Sequence, residues 1–163
     1  MAKTIAVFGA SGLTASECVY QALQEGDTVV GLTRNPANLK IPKGSGGPKA
    51  EQALTSDNLI LLAGDVTKKS DVDKVFAAAK IDGVVVALGG KTKEVGDSML
   101  TDGTKNIIAA MKENDVKRLA VVTSIGAGKR YIPSMQRNVS TMVLTSFLTY
   151  WKMQFELLLY CVI

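Results

Sequence analysis

The chain reads Gly9-Ala10-Ser11-Gly12-Leu13-Thr14-Ala15 directly after the apolar run Thr4-Ile5-Ala6-Val7-Phe8. The spacing G-x-x-G-x-x-A predicts a strand, a glycine turn and then a helix. In that arrangement Gly9 permits a tight turn, Gly12 allows close backbone approach, and Ala15 lets the helix lie near the strand. Free N–H groups at a helix start bind phosphate, so the stretch indicates a pyrophosphate site. Ordinary turns also use glycine, and the rest of the chain has to decide between the two readings.

Apolar runs recur along the chain, with helical patterns between them. Runs that are apolar without alternation are typical of strands buried on both faces of a parallel sheet. Strands that alternate with helices form βαβ units. The sequence therefore predicts an α/β protein with a doubly wound parallel sheet, a Rossmann fold, of about five strands and a divergent C-terminal helix. The five predicted strands are Thr4–Phe8, Thr28–Thr33, Leu59–Ala63, Val84–Leu88 and Leu119–Thr123.

Three helices are predicted between these strands. The first begins at Leu13, with Gly26 at its C′ position. The second begins at a capping box, Ser70-Asp71-Val72-Asp73, in which Asp replaces the usual Glu. The third ends at Asn114. Their predicted buried faces are Ala15, Val19, Ala22 and Leu23; Val72, Val75, Phe76 and Ala79; and Leu100, Thr104, Ile107, Ile108 and Met111.

Composition excludes several classes of site. The 163 residues are 47% apolar and 21% charged, which suits one globular domain. A net charge of +4 suits an anionic ligand, and with 6% aromatic residues it is too small to indicate nucleic acid. The sequence has no histidine, which excludes Ser-His-Asp and Cys-His catalysis and makes a metal site improbable. Cys18 and Cys161 make no disulfide framework, and a buried thiol is the simpler interpretation of Cys18.

Three segments of the sequence indicate where in the cell we expect the protein, whether it spans a membrane and where its chain is flexible. Met1-Ala2-Lys3 leads directly into the first strand and leaves no room for a signal peptide, so we expect a cytoplasmic protein. Residues 142–163 are mostly apolar but include Lys152 and Glu156, which favours a core-facing helix over a membrane span. Residues 41–58 contain a flexible Gly/Pro/Lys loop, which is either a surface insertion or a mobile basic flap beside a nucleotide.

The end of the second strand selects the nucleotide. An acid at this position binds the ribose 2′-hydroxyl of NAD, whereas an arginine accepts the 2′-phosphate of NADP. The chain reads Leu32-Thr33-Arg34 there, with no acid. The guanidinium of Arg34 can form charge-assisted bonds to phosphate, which predicts NADP(H) as the cofactor. A solvated arginine at a helix start is the alternative.

The ends of the later strands supply further candidate contacts, because ligands lie in the crevice at the carboxyl ends of the strands. Asp65 is a candidate adenine contact with Val66 packed beside it, although an Asx turn at Asp65 explains it equally well. Ser124 is a candidate for positioning a substrate or, alternatively, a strand-end cap. The predicted cofactor contacts are Gly9, Ser11, Gly12, Leu13, Thr14, Arg34, Asp65, Val66, Ala87, Leu88, Gly89 and Thr123.

The sequence resembles the short-chain dehydrogenase/reductase superfamily. The motifs that carry the resemblance are Gly9-x-x-Gly12-x-x-Ala15, Arg34 after strand two, Gly64-Asp65-Val66, and Asp102-Gly103-Thr104-x-Asn106-Ile107-Ile108-x-Ala110. Within the superfamily the chain is similar to the atypical NmrA-like group, nearest to the biliverdin-IXβ reductase/flavin reductase type. The match covers residues 1–129, and residues 130–163 form a divergent tail of the same domain.

This resemblance implies two functions that the residues leave open. One is an NADPH-dependent reductase of flavin-, tetrapyrrole- or quinone-like small molecules, in which Ser124 resembles the strand-five serine that contacts substrate. The other is a non-catalytic NADP(H)-binding sensor or scaffold. The superfamily's usual Tyr-x-x-x-Lys dyad is absent, because none of the four tyrosines is followed by lysine four residues later. Many atypical reductases also lack it. Lys91 and Lys93 either attract an acidic substrate or are solvated loop lysines.

Overall fold

The computed structural model describes residues 2–89 and 98–122. Strands and helices alternate along these residues, as predicted. The elements are β1 (Thr4–Phe8), α1 (Leu13–Gln24), β2 (Thr28–Thr33), β3 (Leu59–Ala63), α2 (Lys69–Ala78), β4 (Gly83–Val86), α3 (Met99–Glu113) and β5 (Leu119–Val121). The chain divides into two compact units, of which the first ends at Leu119. Most of the second lies outside the described residues, as does the predicted C-terminal helix, so the single domain over residues 1–163 stays a prediction.

The five strands form one sheet in the order β3-β2-β1-β4-β5. The pairs β1–β2, β2–β3 and β1–β4 are parallel. The prediction of a doubly wound Rossmann fold is therefore confirmed. The order reverses beside β1, which has β2 on one side and β4 on the other. In folds of this kind the ligand crevice lies at that switch point, outside the carboxyl ends of the strands.

The core is built around β1 and β2. Phe8, Val29 and Val30 are fully buried, and so are the helix residues Val19 on α1 and Ile107 on α3. Burying a side chain of this size contributes about 1.5–3 kcal/mol, which is why both central strands are apolar at nearly every position. β4 stops at Val86, two residues before the predicted end. Val86 pairs with Phe8, the last residue of β1, and beyond this pair the N–H of Ala87 bonds back to the carbonyl of Phe8.

The buried face of α3 differs from the predicted one. Leu100, predicted to be buried, is 47% exposed, whereas Gly103 and Ala110 lie at the contact together with Ile107 and Met111. The prediction followed the bulky residues, but α3 packs closely through small ones. A Cβ added at Gly103 would lie 2.7 Å from Cγ2 of Val66.

The start of α2 also differs from the prediction. Lys68 is the N-cap residue and its side chain makes no capping bond, so the capping box at Ser70 is wrong. Ser70 already lies inside the helix. The carboxylate of Asp71 instead accepts a hydrogen bond from the backbone N–H of Asp65, at 3.0 Å. Ala79 follows the helix as its C-cap rather than extending its apolar face.

The connection from β2 to β3 contains two short 3₁₀ turns and no α-helix. Residues 41–58, which contain the loop that is expected to be flexible, form backbone hydrogen bonds among themselves and side-chain bonds to α1. The backbone of Ile41 bonds to Gln52 and Glu51, and the hydroxyl of Ser45 donates to the carboxylate of Glu17 on α1, at 2.5 Å. This segment therefore folds back on itself and docks on α1.

Two glycines with positive φ flank α1 and have different surroundings. Gly26, at φ +84°, ends the helix in a Schellman motif, and the N–H of Asp27 bonds to the carbonyl of Ala22. A Cβ at Gly26 would meet nothing within 4 Å. Gly9, at φ +82°, precedes the helix, and a Cβ there would lie only 2.7 Å from the carbonyl oxygen of Ala87.

We therefore expect Gly9→Ala to cost more stability than Gly26→Ala. Each substitution places an alanine in the left-handed region, at a cost of about 1–2 kcal/mol. Gly9→Ala adds a steric contact with the backbone of β4, worth about 1–3 kcal/mol more. Urea unfolding of the two variants measures the difference. Equal losses of unfolding free energy would show that the end of β4 moves aside freely.

Candidate functional site

The glycine turn after β1 is held by backbone hydrogen bonds to β2. The N–H groups of Gly9 and Ala10 both donate to the carbonyl of Leu32, at 3.0 and 3.1 Å. The N–H of Gly12 then donates to the carbonyl of Gly9, at 2.8 Å. These bonds reverse the chain immediately after the strand, so that α1 begins beside the switch point.

The amino end of α1 lacks a protein cap. Gly12 is the N-cap residue, no side chain caps the helix, and the first turn contains no acid. Among the described residues no acceptor bonds the N–H groups of Leu13 and Thr14, and Leu13 is 93% exposed. A helix start carries a partial positive charge equivalent to about half an elementary charge. Amides without an acceptor, together with this charge, can bind an anion. The predicted contact with a pyrophosphate stays a prediction.

Beside these amides the backbone packs closely at two glycines, Gly9 and Gly12. A Cβ at Gly12 would lie 3.2 Å from the carbonyl oxygen of Gly9, and one at Gly9 would meet Ala87 and Leu88. The N–H of Ala87 bonds to the carbonyl of Phe8, so the turn after β4 lies against the glycine turn. Gly89 has nothing within 4 Å of a Cβ position. The absence of a Cβ at Gly9 and Gly12 lets the glycine turn and the turn after β4 pack against each other, and we call these two turns the cradle.

The side chain of Ser11 is engaged within the protein. Its hydroxyl lies 2.6 Å from the hydroxyl of Thr33, which is the last residue of β2 and is 6% exposed. Ser11 therefore ties the glycine turn to the end of β2. Its predicted cofactor contact stays a prediction.

Arg34 follows directly after β2 and is exposed. Within residues 2–89 and 98–122 no group is hydrogen bonded or ion paired to its guanidinium. Hydrogen bonds from Thr67 are the main cause of the lowered pKa of Asp65, and the positive charge of Arg34 lowers this pKa further. The helix after Arg34 is only the 3₁₀ turn Pro36–Asn38, and Asn35 caps it. The guanidinium is thus available for an anionic ligand.

Asp65 forms the Asx turn that the sequence offers as one alternative. Its Oδ1 accepts hydrogen bonds from the backbone N–H of Thr67, at 2.9 Å, and from the Thr67 hydroxyl, at 2.8 Å. The backbone bond, followed by the hydroxyl bond, lowers the pKa of Asp65. Oδ2 has no partner among the described residues. The turn therefore uses one carboxylate oxygen and leaves the other open, so an adenine contact stays compatible with it.

Two residues that the prediction did not assign also hold this turn. Asp71 on α2 accepts from the N–H of Asp65. The side-chain amide of Asn106 on α3 donates to the carbonyls of Val66 and Thr67, each at 3.0 Å. Asn106 belongs to the Asp102–Ala110 motif, and this motif was the signal in the sequence that could have identified it. The motif does not indicate, however, which groups Asn106 bonds. Val66 is 8% exposed and packs toward Gly103, so it offers little surface to an adenine ring.

Several predicted features lie outside the described residues. They are Thr123, Ser124, Lys91, Lys93, all of the tail from residue 130, and the apolar stretch 142–163. Among residues 2–89 and 98–122, no helix is long and apolar enough to cross a membrane. The same residues contain no group of three Cys, Asp or Glu side chains that could hold a metal ion.

Comparison with known proteins agrees with this geometry. A family model described as NAD(P)H-binding matches residues 9–157, which is most of the chain. The chain belongs to this NAD(P)H-binding family. Its cofactor is therefore a nicotinamide dinucleotide, and the bare amino end of α1 lies inside the matched region.

A curated relative supports the same assignment. Cinnamoyl-CoA reductase 1 of Arabidopsis thaliana is 34% identical over 128 residues, which is 77% of this chain. That match covers 35% of the relative, so the chain spans about a third of its length.

Solved structures share the fold. UDP-glucose 4-epimerase from Bifidobacterium longum, in complex with NAD⁺ and UDP, has a TM-score of 0.58 and 22% identity over 78% of this chain and 39% of its own. Yeast methylglyoxal/isovaleraldehyde reductase with NADPH has a TM-score of 0.59 and 21% identity over 76% and 38%. A wide-type short-chain dehydrogenase/reductase from Veillonella parvula with NADP has a TM-score of 0.56 and 17% identity over 77% and 49%.

The carboxylates of the Asp65 turn make stability depend on pH. Lys74, at 2.7 Å, and then the N–H of Asp65 lower the pKa of Asp71 below its ordinary value of 3.8. A group whose folded pKa is lowered stabilises the fold above its unfolded pKa, and the stabilisation is lost as pH falls through the folded pKa. We expect the unfolding free energy to fall as pH drops below about 5, and Asp71→Asn to flatten that slope.

Urea unfolding between acidic and neutral pH, followed by circular dichroism, measures the slope. Asp57→Asn is the matched control, since it removes an exposed carboxylate that accepts no hydrogen bond from any described residue. It is expected to keep the slope of the unmodified protein. If Asp71→Asn also keeps the slope of unfolding free energy against pH, the bonds to Asp71 do not stabilise the fold.

Proposed function

We propose that the chain binds NADP(H) and acts as an NADPH-dependent reductase of a small-molecule acceptor. The observation that carries the choice of cofactor is Arg34 at the end of β2, which is paired with none of the described residues and has no acid beside it in the sequence. An acid at this position would favour the 2′-hydroxyl of NAD, whereas a guanidinium favours the 2′-phosphate. Family membership supports the dinucleotide, and Arg34 supports the phosphate.

Each part of the cofactor has a candidate partner. The amides of Leu13 and Thr14 would hold the pyrophosphate. Arg34 would hold the 2′-phosphate, and the open oxygen of Asp65 would accept from the adenine amino group. The residues after β4 and after β5 would face the nicotinamide half: Ala87, Leu88, Gly89 and Thr123. When bound, the nicotinamide supplies the hydride, and the protein positions it and excludes water.

The acceptor class rests on resemblance to the biliverdin-IXβ reductase/flavin reductase type. Flavins, tetrapyrroles and quinones accept a hydride when they are stacked correctly and take their proton from solvent, so a Tyr-x-x-x-Lys dyad is not required. Ser124 would position such an acceptor by hydrogen bonding. The similarity to cinnamoyl-CoA reductase adds a thioester of an aromatic acid as a further acceptor to test.

A non-catalytic NADP(H) sensor is the second candidate. The observation that favours it is that no tyrosine in the printed sequence is followed by lysine four residues later. The usual proton donor of the superfamily is thus missing from these residues. A sensor would keep the cofactor contacts and show no turnover.

We expect the protein to oxidise NADPH when a suitable acceptor is present. Loss of NADPH absorbance is followed with FMN, with a linear tetrapyrrole, with a quinone and with cinnamoyl-CoA as separate acceptors. Turnover of any one supports the reductase. Tight NADPH binding without turnover of any acceptor would favour the sensor, and no NADPH binding would contradict both functions.

Arg34→Ala is expected to weaken NADPH binding by about 10- to 100-fold, because it removes charged hydrogen bonds worth about 1.5–3 kcal/mol. NADH binding should change little, since NADH lacks the 2′-phosphate. Isothermal titration with both nucleotides measures this. Arg118→Ala removes another exposed arginine, just before β5 at the amino end of the sheet, and is the control. If Arg34→Ala leaves both affinities unchanged, Arg34 does not select NADP(H).

A further inference from the structure

The Asp102–Ala110 motif lies on α3, and two of its residues contact the turn after β3. Gly103 allows the helix to approach until a Cβ would lie 2.7 Å from Cγ2 of Val66. Asn106, three residues later and thus on the same side of the helix, donates to the carbonyls of Val66 and Thr67, each at 3.0 Å. The motif therefore brings an amide with two donors to a turn about 40 residues earlier in the chain.

One of these bonds acts on the carboxylate of Asp65 through a single peptide unit. The carbonyl of Val66 and the N–H of Thr67 belong to the same planar peptide and point in opposite directions. The side-chain amide of Asn106 donates to the carbonyl oxygen of this peptide at 3.0 Å. The N–H of the same peptide donates to Oδ1 of Asp65 at 2.9 Å. Fixing the plane of this peptide therefore fixes the donor that orients the carboxylate.

The Thr67 carbonyl gives the turn a second anchor. Asn106 bonds this carbonyl as well, and the hydroxyl of Thr67 also donates to Oδ1, at 2.8 Å. Oδ1 is thus occupied twice, while Oδ2 has no partner in the described part of the chain. Rotation of the carboxylate would break both bonds to Thr67.

We infer that Asn106 is a positioning residue, which orients the Asp65 carboxylate so that Oδ2 accepts from the adenine amino group of the cofactor. This inference rests on the proposed function, in which Asp65 contacts adenine. Asn106 itself touches no cofactor in this scheme. It acts through the Val66–Thr67 peptide and the two donors of Thr67.

The test compares NADPH with its hypoxanthine analogue, in which a carbonyl replaces the 6-amino group. The unmodified protein should bind NADPH at least about tenfold more tightly than the analogue, because the amino group bonds a charged acceptor. Asn106→Ala should reduce this ratio to within about threefold, close to the ratio of Asp65→Ala. General loss of stability would weaken both ligands equally and leave the ratio unchanged.

Asn114→Ala is the matched control. Asn114 lies at the end of the same helix and also donates its side-chain amide to a carbonyl, that of Ala110, at 2.8 Å. It is remote in sequence from the Asp65 turn and makes no bond to it. Its substitution should leave the adenine-to-hypoxanthine ratio as it is in the unmodified protein.

The outcomes separate this inference from the proposed function. If Asn106→Ala keeps the adenine-to-hypoxanthine affinity ratio of the unmodified protein, the inference is overturned and the cofactor assignment stays intact. A ratio that is equal in the unmodified protein and in Asp65→Ala means that Asp65 does not contact adenine, which overturns the inference together with that contact. Absence of NADPH binding to the unmodified protein overturns the proposed function and the inference with it.

A second readout needs no cofactor. Exchange of the Thr67 amide hydrogen, measured by NMR, should be faster in Asn106→Ala than in Asn114→Ala, because the peptide that carries it is no longer held. Equal exchange in the two variants contradicts the inference. If Asn106→Ala does not fold, Asn106→Ser replaces it in both measurements. Its shorter side chain cannot bond both carbonyls, and the same results are expected.

Discussion

The close approach of the Gly9 turn to the end of β4 is the constraint on which the site depends. Gly9 takes a left-handed conformation, and a Cβ there would lie 2.7 Å from the Ala87 carbonyl oxygen. Only glycine meets both conditions. Because β1 turns within this space, α1 starts beside the switch point, and its first amides have no acceptor in the part of the chain that the structure describes. A side chain at position 9 would separate the two turns that form the cradle.

The turns around this cradle are stabilised by the protein's own hydrogen bonds. Ser11 is tied to Thr33, and Asp65 is tied to Thr67. Such bonds set the conformation of each turn before any ligand arrives, which lowers the entropic cost of binding. The lowered pKa of Asp65 keeps its carboxylate ionised. The guanidinium of Arg34 is paired with none of the described residues and is available for phosphate.

Features that depend on neighbouring residues in sequence were predicted well. The bounds of β1, β2 and β3 agree with the apolar runs, and Gly26 ends α1 in the predicted way. Features that depend on distant residues were not. The donors of Asn106 meet carbonyls 39 and 40 residues away, and no local pattern in the sequence identifies such a pair. The buried face of α3 was only partly right: Ile107 and Met111 are buried as predicted, whereas Gly103 and Ala110 were missed. A close helix contact selects small residues that a hydrophobic pattern overlooks.

The sequence by itself determined the order of strands and helices, the glycine turn and the absence of an acid beside Arg34, because each of these follows from the periodicity or chemistry of adjacent residues. The tertiary structure alone decided where β4 ends, since that depends on where its partner β1 ends. It also decided how α2 and α3 hold the Asp65 turn. The physical reason is that hydrogen bonds between elements require positions in space, which only the packed sheet and its helices define.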